Sequence, residues 1–124
     1  MRIAFYAPLK PPGHPVPSGD RRIARLLLQA LRKAGHEVRV VSAFRSYEGK
    51  GDRARQARIR ERGAAIAERL LAGTLKRWRP DLWFTYHLYH KAPDWLGPPV
   101  AKAMAIPYVV AEAALLRSEG RRFV

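Results

Sequence analysis

Four short apolar runs, separated by stretches in which apolar residues recur at helical spacing, limit what this chain can fold into. The runs are RIAFYAP at 2–8, HEVRVVSA at 36–43, DLWFTY at 81–86 and IPYVVA at 106–111. The first and third have no polar face, as expected of strands covered on both sides. The second is rich in valine and follows Gly35 directly, so the preceding connection is tight.

Between the strands the spacing predicts helices. Over 21–34, Ile23, Leu27, Ala30, Leu31 and Ala34 recur on one face, with Ala24 and Leu28 beside them and Gly35 placed to end the helix. Over 54–78, Ile59, Ile66, Leu70 and Trp78 form a stripe that Ala67, Leu71 and Leu75 widen, until Pro80 stops it. Gly63 and Gly73 are expected to bend or fray this helix, because a glycine in a helix interior costs about 1 kcal/mol relative to alanine. A short helix over 95–105, starting near Pro98 or Pro99, turns Leu96, Val100, Ala103 and Met104 inward. Strands alternating with helices require right-handed crossovers and a covered parallel sheet. The expected fold is α/β: one Rossmann-like domain over 1–124 with a doubly wound parallel sheet, ending in a partly ordered tail at 115–124.

Composition removes several function classes. The chain of 124 residues has no cysteine, which excludes disulfide frameworks, thiolate metal sites and cysteine nucleophiles. It has no apolar run long enough to span a bilayer and begins directly with a strand, so a cytoplasmic protein is expected. A net charge of +14 predicts attraction to polyanions such as nucleic acid, anionic lipid or phosphorylated substrates. Arginine supplies 18 of the 24 basic residues, a bias that a GC-rich genome also produces.

In open parallel sheets ligands bind beyond the carboxyl ends of the strands. Three segments are expected there. The loop KPPGHPVPSGD, with four prolines and two glycines, leads into a helix at Ser18, Gly19, Asp20 and Arg21. Free backbone N–H groups there favour an anion, either a phosphate held by arginine or, given the Asp20 carboxylate, a sugar hydroxyl. Alternatively Ser18 and Asp20 simply cap the helix. The segment YHLYHK, expected as a loop, offers His87, His90 and Lys91 to a hydroxylated or anionic substrate, or packs its aromatics on the neighbouring helix. Glu112, after the last strand, is placed either to act as a base or to start a helix. His36 is expected to be structural. PSGDRR is neither a dinucleotide fingerprint nor a Walker loop, and no cofactor or metal is expected.

RIAFYAP, the loop ending in PSGD, and RRIARLLLQALRKAGHEVRVVS together resemble the start of the retaining GT-B glycosyltransferases of the group 1 or family 4 type. RPDLWFTYHLYH and GPPVAKAMAIPYVVAEA are similar to that family's next strand, histidine-bearing loop, helix and G-I-P strand. The likeness covers residues 1 to about 114, and Ala105 stands where the family usually has glycine. It implies one half of a GT-B fold, inactive alone, with Gly19 near the donor phosphates, His87 and His90 lining the cleft and Glu112 at its floor. The implied partners are a C-terminal donor-binding domain, a nucleotide-sugar, a glycan or lipid-linked acceptor and, peripherally, an anionic inner-membrane surface. The other readings are a stand-alone anion- or nucleotide-binding module and a sequence-independent nucleic-acid binder using the arginines of 53–69.

Overall fold

The computed structural model describes residues 1–114, so the tail expected over 115–124 lies outside the described residues. The elements run β1 (Arg2–Tyr6), α1 (Gly19–Lys33), β2 (Glu37–Val40), α2 (Arg53–Ala72), α3 (Thr74–Arg77), β3 (Leu82–Tyr89), α4 (Gly97–Met104) and β4 (Tyr108–Ala114). All strand pairs are parallel and the order is β2-β1-β3-β4. The chain is therefore an α/β domain with a Rossmann-like sheet wound in both directions from β1.

Side chains alternate across the sheet and feed two cores. Ile3, Phe5 and Ala7 face α1, where Ala24, Leu28, Val38 and Tyr86 join them. Ala4 and Tyr6 face the opposite layer, with Leu70, Leu75, Trp78, Trp83, Leu96 and Val100. Phe5 stacks on Phe84 at 5.5 Å and Tyr6 meets Trp83 edge-on at 6.1 Å, so aromatic pairs bind β1 to β3 on both faces.

Several expected boundaries move. α1 buries Ala24 and Leu28, with Leu27 and Leu31 packed beside them, while Ile23 is 40% exposed and Ala30 and Ala34 face solvent. The inner face is thus narrower and rotated by roughly a fifth of a turn, because the sheet meets the helix along Ala24–Leu28–Leu31. The expected helix over 54–78 is two helices divided at Gly73. Gly63 does not break it; a side chain there would stand 2.6 Å from Trp95 Cβ, so this glycine lets α2 approach the next layer. In α4, Ala101 rather than Ala103 is buried, and Pro98 and Pro99 occupy the first turn, where their missing N–H costs nothing.

The amino edge is held by a compact polar group. Glu37 accepts from Trp78 Nε1 at 2.7 Å and pairs with Arg2 and Arg39, and the Arg39 guanidinium lies 4.7 Å from the Trp78 ring. The Trp78 hydrogen bond holds the Glu37 carboxyl below its usual range, opposed by burial and helped, by less, by Arg2 and Arg39. His36 Nδ1 lies 3.1 Å from the chain's amino group, in keeping with a structural place far from the carboxyl edge.

Candidate functional site

The strand order reverses between β1 and β3, and the loops that leave their carboxyl ends frame the site. The proline-rich loop after β1 is stitched down by side chains. Arg21 donates to the His14 carbonyl at 3.0 Å, Arg25 to Pro12 at 2.7 Å and Arg45 to Leu9 at 2.6 Å. Ser18 Oγ accepts from Arg21 N at 3.2 Å, so Ser18 caps α1 and Asp20 sits in its first turn. Gly19, Arg21, Arg22, Arg25 and Leu26 line a shallow groove of about 570 Å³. Nothing lies within 4 Å of where a Cβ on Gly19 would stand, so protein packing does not demand glycine there.

A second, more enclosed cleft of about 160 Å³ lies between the loop after β2, the start of α2 and the loop after β3. Ser46, Glu48, Gln56, Ile59, His90, Lys91, Pro93 and Trp95 line it. Glu48 knots these segments together. Its carboxylate accepts from the backbone N–H groups of Lys50, Gly51 and Asp52 and from Gln56 Nε2, at 2.9–3.2 Å, while its own N–H donates to the Lys91 carbonyl at 2.8 Å. Burial pushes the Glu48 carboxyl up, but the hydrogen bonds from Lys50, Gln56, Gly51 and Asp52 override it and hold the group below the usual carboxylate range. Glu48 is therefore an ionised anchor, not a proton donor. It orients Gln56, whose amide oxygen and second N–H remain for a ligand. Ser46 is buried, donating through Oγ to Pro93 at 2.6 Å and through its N–H to Pro8 at 3.1 Å, which joins the loops after β1, β2 and β3.

The wall presented by Trp95 depends on a residue that its sequence neighbourhood does not single out. Asp94 is 8% exposed and accepts four hydrogen bonds. Oδ1 takes the N–H groups of Leu96 at 3.0 Å and Gly97 at 2.7 Å; Oδ2 takes the hydroxyls of Thr85 and Tyr108, each at 2.6 Å. Trp83 Nε1 in turn donates to Thr85 Oγ1 at 2.8 Å. The carboxylate thus caps the start of α4 and locks the loop carrying His90, Lys91 and Trp95 onto β3 and β4. A Cβ on Gly97 would strike Asp94 Oδ2 and the Tyr108 ring. The phenols of Tyr6 and Tyr108 are pushed far up, by burial first and then by the Asp94 charge, and stay neutral donors.

The expected site residues fall into three places. His90, exposed and edge-on to Tyr89 at 4.7 Å, and half-buried Lys91 lie in the cleft. Ser18, Gly19 and Arg21 line the separate α1 groove. His87 is not in a loop: β3 continues to Tyr89, because β4 continues beside it to Ala114. Glu112 likewise lies within β4 and neither follows the strand nor starts a helix. The register pairs Tyr86 with Ala111 and Leu88 with Ala113, which puts the backbones of His87 and Glu112 at neighbouring positions. Their side chains lie outside the described structure. Among the described residues, no three His, Asp or Glu side chains gather as a metal site, and no helix is long and apolar enough to cross a membrane.

Glu48, Gln56, Asp94 and Trp95 are the site residues that sequence reasoning passed over. Trp95 beside the histidine-bearing segment was a usable signal; Asp94 and Glu48 act through partners spread over several elements and had none. Compared with protein-family models, curated proteins and solved structures, the chain has no match.

Proposed function

We propose that the chain is the N-terminal, acceptor-side half of a retaining glycosyltransferase, in which the Trp95 cleft receives the acceptor. A donor-binding domain supplies the nucleotide-sugar across the carboxyl edge of the sheet. The observation that carries this reading is the lining of the cleft at that edge: the Trp95 wall beside Ile59, with Gln56, Ser46, His90 and Lys91 converging on one small volume. An apolar wall facing a few fixed polar groups suits a hydroxylated ring, whose C–H face packs on the aromatic while its hydroxyls meet the amide and the cationic rim. The acceptor is a glycan or a lipid-linked sugar, with Lys91 and His90 orienting its hydroxyls. The α1 groove, with Gly19 and Arg22, faces the donor phosphates. Alone, the chain binds acceptor but does not turn over.

The test is an NMR titration of the chain with short oligosaccharides and with free nucleotides. Saturable shifts at the Trp95 indole and the Gln56 amide with saccharide, reduced at least tenfold in affinity by Trp95→Ala, are expected. Shifts confined to the α1 groove, produced by nucleotides without saccharide preference, would replace this reading with a stand-alone anion-binding module.

A further inference from the structure

Two carboxylates stand around the Trp95 cleft, and both are engaged inside the protein. Glu48 Oε1 accepts from Gly51 N, Asp52 N and Gln56 Nε2, and its Oε2 accepts from Lys50 N. Buried Asp94 is held by its own four donors. Lys91, half-buried, lines the same cleft and is the only lysine or arginine among the lining residues. Its ammonium makes no hydrogen bond or ion pair with any described residue, although ionised Glu48 shares the lining and donates its own N–H to the Lys91 carbonyl. A cation partly withdrawn from water costs free energy until a partner is supplied. The cleft therefore presents one unpaired positive charge beside the apolar wall of Trp95, Ile59 and Pro93.

We propose that Lys91 selects an acceptor whose terminal ring carries a carboxylate, a uronic acid, the ammonium taking the carboxylate while the ring packs on Trp95. At about 160 Å³ the cleft has room for a single ring, so the charge and the apolar face belong to one residue of the acceptor. One ammonium balances one carboxylate. A phosphomonoester brings nearly two negative charges, and the second would meet ionised Glu48 with no further lysine or arginine in the lining to offset it. The α1 groove, lined by Arg21, Arg22 and Arg25, is the better match for that ligand. In the cleft, the Gln56 amide and His90 remain for the ring hydroxyls. Selection by charge rests on the acceptor-site reading, which by itself demands a hydroxylated ring but no acid.

The experiment is an NMR titration of the chain with methyl glucuronide, methyl glucoside and glucose 6-phosphate, read at the Trp95 indole. Salt at about 0.15 M screens the general attraction of a chain of net charge +14 for anions. The glucuronide is expected to bind roughly tenfold or more tightly than the glucoside, the gain of one hydrogen bond between charged groups. Lys91→Gln is expected to abolish that preference and leave glucoside binding little changed, while Lys91→Arg keeps it. Lys76→Gln, which removes the same charge outside the cleft, keeps it as well. The thermal midpoint of Lys91→Gln stays level, because among the described residues only the Lys91 backbone is bonded to the rest of the chain. Equal affinity for glucoside and glucuronide, a preference that survives Lys91→Gln, or tighter binding of glucose 6-phosphate at Trp95 would each overturn the proposal and leave the acceptor reading standing. Binding of none of the three at Trp95 would overturn both.

Discussion

Ala105 ends α4 in the left-handed region at φ 56° and ψ 44°, a conformation that costs an L-residue roughly 1–2 kcal/mol. Ala105→Gly is therefore expected to stabilise the chain by about 1 kcal/mol and raise its thermal midpoint by roughly 4 °C, measured by circular dichroism. The preference for glycine before I-P in the glycosyltransferase pattern thus has a backbone cause independent of catalysis. Asp94 behaves in the opposite sense. Asp94→Ala leaves four buried donors without an acceptor and is expected to cost about 3 kcal/mol or more in urea denaturation, while Asp94→Asn, which keeps one acceptor oxygen, costs less. Gly19→Ala is expected to leave stability unchanged, since its Cβ meets open space. A loss of donor affinity in that variant would then report on the ligand and not on the fold.

Alanine normally stabilises a helix by about 1 kcal/mol over glycine, yet Gly63→Ala is expected to be destabilising. The new methyl stands 2.6 Å from Trp95 Cβ, and overpacking of this kind costs roughly 1–3 kcal/mol. The same variant should shift the Trp95 indole resonance, because α2 and Trp95 form facing walls of one cleft. Much of this element-level arrangement was legible in the sequence: the order of strands and helices, the Ser18 cap and the stop at Pro80 all follow from local spacing and local chemistry. The buried face of α1 was read too wide, taking in Ile23, Ala30 and Ala34, because Ile23 and Leu28 are equally apolar and only the sheet decides between them. β3 was cut short at Tyr86 because HLY carries no strand signal of its own; pairing with the alanines of β4 extends it. The Asp94 group escaped notice because its donors come from β3, β4 and α4, which are brought together only by folding.

At the scale of the molecule, two electrostatic effects dominate. The carboxyls of Glu37 and Glu48 are held below their unfolded values, so the stability they confer is present above the unfolded pKa and is lost as pH falls through the folded one. The unfolding midpoint is expected to be level near neutrality and to fall below about pH 4.5. The net charge of +14 repels itself, so added salt at neutral pH should raise the midpoint until screening is complete, a trend that thermal scans over a salt series will read. The placement of β1 has a further consequence for watching such changes. With a strand on each side and a core on each face, its backbone amides are reached by solvent only when both layers come apart together. Deuterium uptake at Ala4 and Phe5 therefore times the rarest opening of the molecule.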